Sequence, residues 1–324
     1  MGALAAAGLA AGALLLLGAA AGFGLAAVVV FPRRFALAET EAIEREKGFL
    51  AAAGWDGLSP REVCVAAPDG RSLAAAYVPL EGSRRTVVLV HGITYTRWGS
   101  AKYLRAFRSL GFNALLVDQR GHGASGRGPV TFGFREAPDL RAWVDWALAE
   151  LGPGGLVGLH GESMGAAVAI QEAAIDPRVA FVVADCPFSD LRSLLAHRLR
   201  VEFGLPAFPF LGLAESAARL LAGGFRFREV SPACAAAVFR APLLLVHGLS
   251  DDYIPSSMAR EIAAAREAAG LPFRLVLVPG AAHAKSWETC PEAYERAVAE
   301  FFGGLRAPGP AEPSSLPAAT APGG

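Results

Sequence analysis

The sequence predicts an α/β fold: a mainly parallel central sheet, helices on both faces, and a helical cap insertion. Three observations predict it. From Thr86 onward, short continuous apolar runs alternate with helical runs, the pattern of strands that are buried on both faces. Gly161-Glu162-Ser163-Met164-Gly165 lies between one such strand and one such helix, so the chain turns sharply there with a serine at the tip. The stretch from Asp185 to Pro242 is far longer than one crossover helix needs, which leaves room for a cap over the strand ends.

The 324 residues suffice for one large core. Thirty basic residues balance thirty acidic ones, and the globular part carries no dense basic patch. That balance gives no electrostatic reason to bind nucleic acid or an acidic substrate. The four cysteines, Cys64, Cys186, Cys234 and Cys290, form no CxxC pair, so neither metal spacing nor a disulfide framework is expected. No cofactor and no metal follow from any motif.

In chain order, 1–34 is expected to be an N-terminal transmembrane anchor. No charged side chain occurs before Arg33, and Ala3 to Phe31 is almost wholly Ala, Gly, Leu and Val, long enough to span a bilayer with some tilt. A secretory signal would carry Lys or Arg before a shorter apolar core, and this segment has neither feature. A cleaved signal and a buried helix remain the other readings. Arg33 and Arg34 follow the span, which by the positive-inside rule points to a single-pass protein with a cytoplasmic catalytic domain. Gly8-xxx-Gly12 and Gly18-xxx-Gly22 have the spacing for close helix approach, but Gly and Ala are common throughout, and abundance is the plainer account.

Residues 35–58 are expected to hold a connecting helix, charged over 36–52 and read as a solvated spacer. Strands at Glu62 to Ala67 and Leu73 to Val78 flank Pro68-Asp69-Gly70, a hairpin turn signal. The main domain, 59–305, then has strands at Val87 to Val90, Asn113 to Val117, Leu156 to Leu159, Val179 to Ala184, Leu243 to Val246 and Phe273 to Val278. Helices are expected at Ala101 to Leu110, Ala137 to Leu151, Ala166 to Ala174, Ser256 to Ala269 and Pro291 to Leu305, with the cap at about 191–227. The Pro- and Ala-rich tail, 306–324, is expected to be disordered.

A serine needs a base within reach and an acid to orient that base. Of the six histidines, His91 and His247 end strands in His-Gly, His160 lies within a strand, His122 in a Gly-rich loop and His197 in the cap. His283, in the loop after the last strand, is left as the base for Ser163. Asp251, after the strand ending at His247, is the expected acid; Asp252 and Asp185 are alternatives. The oxyanion donors should be the backbone N–H groups of Met164, which opens a helix, and Ile93, just after His91-Gly92.

His91-Gly92-Ile93, Asp118-Gln119-Arg120-Gly121-His122-Gly123, Gly161-Glu162-Ser163-Met164-Gly165, His247-Gly248-Leu249-Ser250-Asp251 and Gly280-Ala281-Ala282-His283 follow one another as in the α/β-hydrolase superfamily. Over about residues 60 to 305 the chain resembles membrane-anchored bacterial serine hydrolases of the prolyl-oligopeptidase-like and serine-aminopeptidase-like branches. The resemblance implies Ser163 as nucleophile, Asp251 as acid, His283 as base and a cap after the strand ending at Asp185. It also implies a structural role for Asp118 to Ser125. A serine at the turn disfavours the epoxide hydrolase and haloalkane dehalogenase branches, which carry aspartate there.

The expected activity is hydrolysis of an ester, thioester or amide through an acyl-enzyme, with a carboxylesterase or lipase-like enzyme preferred. Small acyl esters, lipids and peptides are the substrate classes, and the membrane is the partner. An aminopeptidase would hold its substrate amine with Glu162 or Asp252. An acyltransferase would use the same residues. An inactive membrane-tethered binding protein is the reading from another class.

Overall fold

In a computed structural model, which describes residues 2–304 and 314–315, the sheet begins as a hairpin and then turns parallel. Before it lie α1 (Gly2–Val30), α2 (Leu37–Glu46) and α3 (Phe49–Ala52). The sheet and its crossovers follow as β1 (Arg61–Ala66), β2 (Ser72–Val78), β3 (Arg85–Val90), α4 (Leu104–Arg108), β4 (Asn113–Val117), α5 (Glu136–Leu151), β5 (Leu156–Glu162), α6 (Met164–Ile175) and β6 (Val179–Asp185). Two cap helices, α7 (Leu191–Phe203) and α8 (Ala207–Leu221), precede α9 (Pro232–Ala236), β7 (Leu243–Gly248), α10 (Ser256–Ala268), β8 (Phe273–Val278), α11 (Ser286–Thr289) and α12 (Pro291–Gly304).

The strand order is β1-β2-β4-β3-β5-β6-β7-β8, antiparallel from β1 to β4 and parallel from there on. The pair Ser314–Ser315 runs parallel to β8 as a short ninth strand; the rest of the tail expected to be disordered lies outside the described residues. The hairpin turn closes as the sequence predicts, with Gly70 at φ 81° and the Ala67 N–H donating to the Arg71 carbonyl.

Side chains alternate across the sheet into two cores. Val88 and Val90 of β3, Leu115 and Val117 of β4, and Leu243 and Leu245 of β7 join one; Val87 and Leu89, Ala114 and Leu116, Leu244 and Val246 join the other. This is why the parallel strands read as unbroken apolar runs.

Three segments depart from expectation. The helix predicted over 36–52 breaks at Gly48, which sits at φ 75°, where glycine carries no Cβ penalty. The segment is also no solvated spacer. Thr40 is fully buried with its Oγ1 2.5 Å from Thr96 Oγ1, and Glu44 is buried and pairs with Lys47. The helix predicted at Ala101 to Leu110 is 3-10 in form over Arg97–Tyr103 before α4.

The largest departure concerns α1. Its apolar run, Ala5–Val30, is long enough to cross a membrane. Its C-terminal half nevertheless belongs to the domain: Ala26 and Val30 are fully buried members of the core beside α5, α6 and α8. The Val30 carbonyl accepts from the Val130 N–H at 2.8 Å, and the Phe35 N–H donates to Thr94 at 3.0 Å. Gly22 lies against α8 so closely that a Cβ there would stand 2.8 Å from the Leu213 carbonyl oxygen. The Gly18-xxx-Gly22 spacing is therefore used, within this chain, to seat the helix on the cap.

Gly22→Leu should force α1 from α8 and cost about 1–3 kcal/mol of stability. Gly12→Leu, where a Cβ would meet nothing within 4 Å, should leave the thermal midpoint in detergent unchanged. Equal midpoints for the two variants would refute the α1–α8 contact.

Candidate active site

The site begins with a backbone constraint. β5 runs into α6 with no spacer except Ser163, which is held at φ 55°, ψ −119°. A Cβ on Gly161 would overlap the Gly165 carbonyl, and one on Gly165 would overlap the carbonyl of Val90 in β3. Only glycine at both positions lets strand and helix approach this closely. Ser163 N–H donates to Asp185 O at 2.8 Å, and its own carbonyl accepts from the Ala166 and Ala167 N–H groups, which hold the strained residue in place.

Three sequence-predicted residues converge there. Ser163 Oγ lies 2.9 Å from His283 Nε2, and His283 Nδ1 lies 2.8 Å from Asp251 Oδ2. The carboxylate accepts a hydrogen bond from Nδ1–H, which leaves Nε2 as the acceptor for the serine hydroxyl. Asp251 Oδ1 accepts the Tyr253 and Ile254 N–H groups at 3.1 and 2.8 Å, which fixes the loop after β7. Burial opposes the charge on Asp251, but hydrogen bonds from His247, His283 and Ile254 outweigh it and hold the carboxyl well below its ordinary value. The side chain is an anion that needs a cationic or N–H partner, and His283 provides one.

Ile93 and Met164 line the same cavity as Ser163, and neither N–H donates to another described residue. Met164 is the first residue of α6, so its N–H has no carbonyl a turn earlier to reach. The Ile93 loop lies against the serine; a Cβ on Gly92 would stand 3.6 Å from Ser163 Cβ, an ordinary contact. His122 Nε2–H donates to the Ile93 carbonyl at 2.6 Å, and burial lowers the ring's pKa. His122 thus braces the loop, a link that its place in a Gly-rich loop did not announce. The rest of its segment is structural: Asp118 accepts from Arg97 and from the Ala124 N–H.

Two of the three alternative residues are otherwise employed. Asp185 is fully buried and accepts from Ser286 Oγ at 2.8 Å. Asp252 is exposed. Glu162 is not free to hold an amine: Lys102 Nζ is 2.6 Å and Tyr103 Oη 2.5 Å from its Oε2. Glu162 and Asp185 are register partners at the carboxyl ends of β5 and β6, and Tyr103 Oη lies within 3.1 Å of Asp185 as well. Burial first, and the neighbouring Glu162 second, push the Asp185 pKa up to about 6. Sequence reasoning did not find this carboxylate layer; Lys102 and Tyr103 belong to a helical turn with no motif.

Among the described residues, one group of possible metal-ligand atoms lies within 4.8 Å of one another: Cys186, Asp251 and His283. Two of them already bond to each other, and burial keeps Cys186 a thiol. The set does not fit a resident metal.

Ser163 opens onto a cavity of about 230 Å³ with a largely apolar wall. Phe132, Phe188 and Phe227 come from the domain, Leu195 and Leu199 from α7, and Phe210 and Leu211 from α8. The carboxylate on its wall, Glu202, is paired with Arg198, whose guanidinium also lies 3.8 Å from the Tyr253 ring centre.

Residues 87–298 match the model of the alpha/beta hydrolase family. The uncharacterized protein YqkD of Bacillus subtilis is 35% identical over 235 residues, which cover 72% of this chain and 76% of that protein. The uncharacterized protein Rv2307c of Mycobacterium tuberculosis is 33% identical over 227 residues, covering 69% of this chain and 72% of the relative. Among solved structures, the esterase Pf2001 of Pyrococcus furiosus superposes with a TM-score of 0.62 at 24% identity, over 78% of this chain and 94% of the esterase. An acylaminoacyl peptidase of Pyrococcus horikoshii gives 0.59 at 17% identity, over 77% of this chain and 41% of the peptidase.

Tyr103→Phe removes the hydroxyl between the two carboxylates and should cost about 1–3 kcal/mol. Asp185 holds its proton more tightly folded than unfolded, so stability falls as pH rises through about 6. The variant's deficit in urea midpoint should accordingly be larger at pH 8 than at pH 5, where Asp185 is protonated and carries no charge for the hydroxyl to offset. A deficit independent of pH would refute the placing of the Tyr103 hydroxyl as a donor to Asp185.

Proposed function

We propose, from the premise that this chain belongs to the α/β hydrolase family, that it is a serine hydrolase of carboxylic esters held on a membrane by α1. The observation that carries this reading is the relay Ser163, His283, Asp251 at the floor of an apolar cavity. In it, Ser163 Oγ bonds to the acyl carbon as its proton passes to His283 Nε2. The N–H groups of Ile93 and Met164 take the oxyanion. Collapse breaks the carbon–oxygen bond to the alcohol, which leaves with the proton from His283. Water then gives a proton to His283 as its oxygen bonds to the acyl carbon. The bond to Ser163 breaks, the serine regains the proton, and the carboxylic acid departs.

An ester is favoured over an aminoacyl amide because Glu162 is paired with Lys102 and the cavity's Glu202 with Arg198, while Asp252 is exposed and is not among the residues that line the cavity. α1 is read as a retained anchor rather than a cleaved signal, since removing Ala26 and Val30 would open the core. Arg33 and Arg34 favour a cytoplasmic hydrolase domain.

Fluorophosphonate should label the full chain in detergent and fail on Ser163→Ala, which should lose about 10⁴-fold or more in kcat. Met164→Ala should stay within about tenfold, because the donor is a backbone group. Medium-chain esters should turn over while aminoacyl amides do not. Folded protein that takes no label, or that prefers the amides, would overturn the ester reading.

A further inference from the structure

The membrane helix is also a wall of the cavity above Ser163. Leu25, Val28 and Val29 of α1 face the same space as Leu199 and Phe203 of α7 and Leu211 of α8. We infer that the substrate is a long-chain acyl ester resident in the bilayer, that it enters sideways between α1 and the cap hairpin, and that α1 forms part of its acyl-binding surface. This rests on the serine hydrolase reading.

Three observations carry it. First, the apolar span and the cavity share residues. No charge precedes Arg33, and Arg33 itself lines the cavity. Arg33 is the first cation after the span, so the cavity lies at the end of the apolar helix.

Second, the rim is apolar on its outer side. Val28 lines the cavity and is still 58% exposed; Phe31 next to it is exposed as well. In the cap hairpin, Val201 and Phe203 at the end of α7 are exposed, and Phe208 at the start of α8 is 87% exposed. Exposed aromatic and aliphatic side chains at the tip of a cap cost free energy in water and gain it in an acyl-chain region. The lipid bilayer that holds α1 is the apolar phase continuous with them.

Third, α1 cannot swing away like a flexible tether. Gly22 is in contact with α8, and the exit of the helix is pinned: Arg34 Nη1 donates to Gly121 and Gly128 carbonyls at 2.5 and 2.9 Å. The cavity therefore keeps a fixed position relative to the membrane.

The test reconstitutes the full chain in phosphatidylcholine vesicles that contain a fluorogenic palmitoyl ester lipid, and compares this with the same lipid in separate protein-free vesicles. Lipid in the protein's own bilayer should be consumed at least about tenfold faster, because entry is confined to that bilayer. Equal rates would overturn lateral entry. Val28→Trp, which fills the space from the α1 side, should lower the palmitoyl-to-acetyl ratio of kcat/KM by about tenfold or more. An unchanged ratio would remove α1 from the acyl surface. Fluorophosphonate labelling and acetyl ester turnover are read in the same preparation. If both are absent the hydrolase reading fails; if both are present and the two vesicle rates are equal, only the inference about lipid entry fails.

Discussion

The contact on which the site depends is between backbones. β3, β5 and α6 approach so closely around Ser163 that side chains are excluded at Gly161 and Gly165, and the serine is left in a backbone conformation that costs about 1–3 kcal/mol. The surrounding hydrogen bonds offset that cost. Because the constraint is steric and local, the Oγ of Ser163 is presented before any substrate arrives. The N–H groups of Met164 and Ile93 find no partner among the described residues: one begins a helix, the other lies in the loop after Gly92, beside the serine.

Beneath this layer the charges are paired across the sheet. Glu162 and Asp185 end adjacent parallel strands, where like charges repel, and Lys102, Tyr103 and Ser286 supply the compensating charge and protons. The arrangement explains why an acidic residue directly before the serine is compatible with an anionic Asp251 nearby. Glu162 is paired with Lys102, so its field is spent there rather than on His283. The carboxyl that does act on the imidazole, Asp251, is held as an anion by N–H donors of its own loop.

The parts legible in the sequence were those fixed by local rules. Unbroken apolar runs gave the parallel strands, and Pro68-Asp69-Gly70 gave the hairpin. The Gly-x-Ser-x-Gly turn gave the position of Ser163, and the order of strand ends narrowed the histidines to His283. What was not legible depends on long-range packing. Thr40 and Glu44 look like members of a solvated helix until Thr96 and Lys47 are placed beside them. Glu162 looks available to a substrate until Lys102, from a distant 3-10 turn, reaches it. Neither α1 nor α8 announces its partner, because apolar residues suit lipid and protein equally.

That ambiguity in α1 follows from its two environments. A helix that only anchored a soluble domain would need apolar residues on all sides and a polar linker at its end. Here the small residues Gly22 and Ala26 face protein, while Val28 and Phe31 remain exposed and apolar down to the first arginine. A side chain larger than hydrogen at Gly22 would push the helix off α8 and widen the cavity wall that Leu25 and Val29 provide. The residues that let the helix dock are thus the ones that close the pocket. The seating of α1 and the shape of the cavity are set by the same contact.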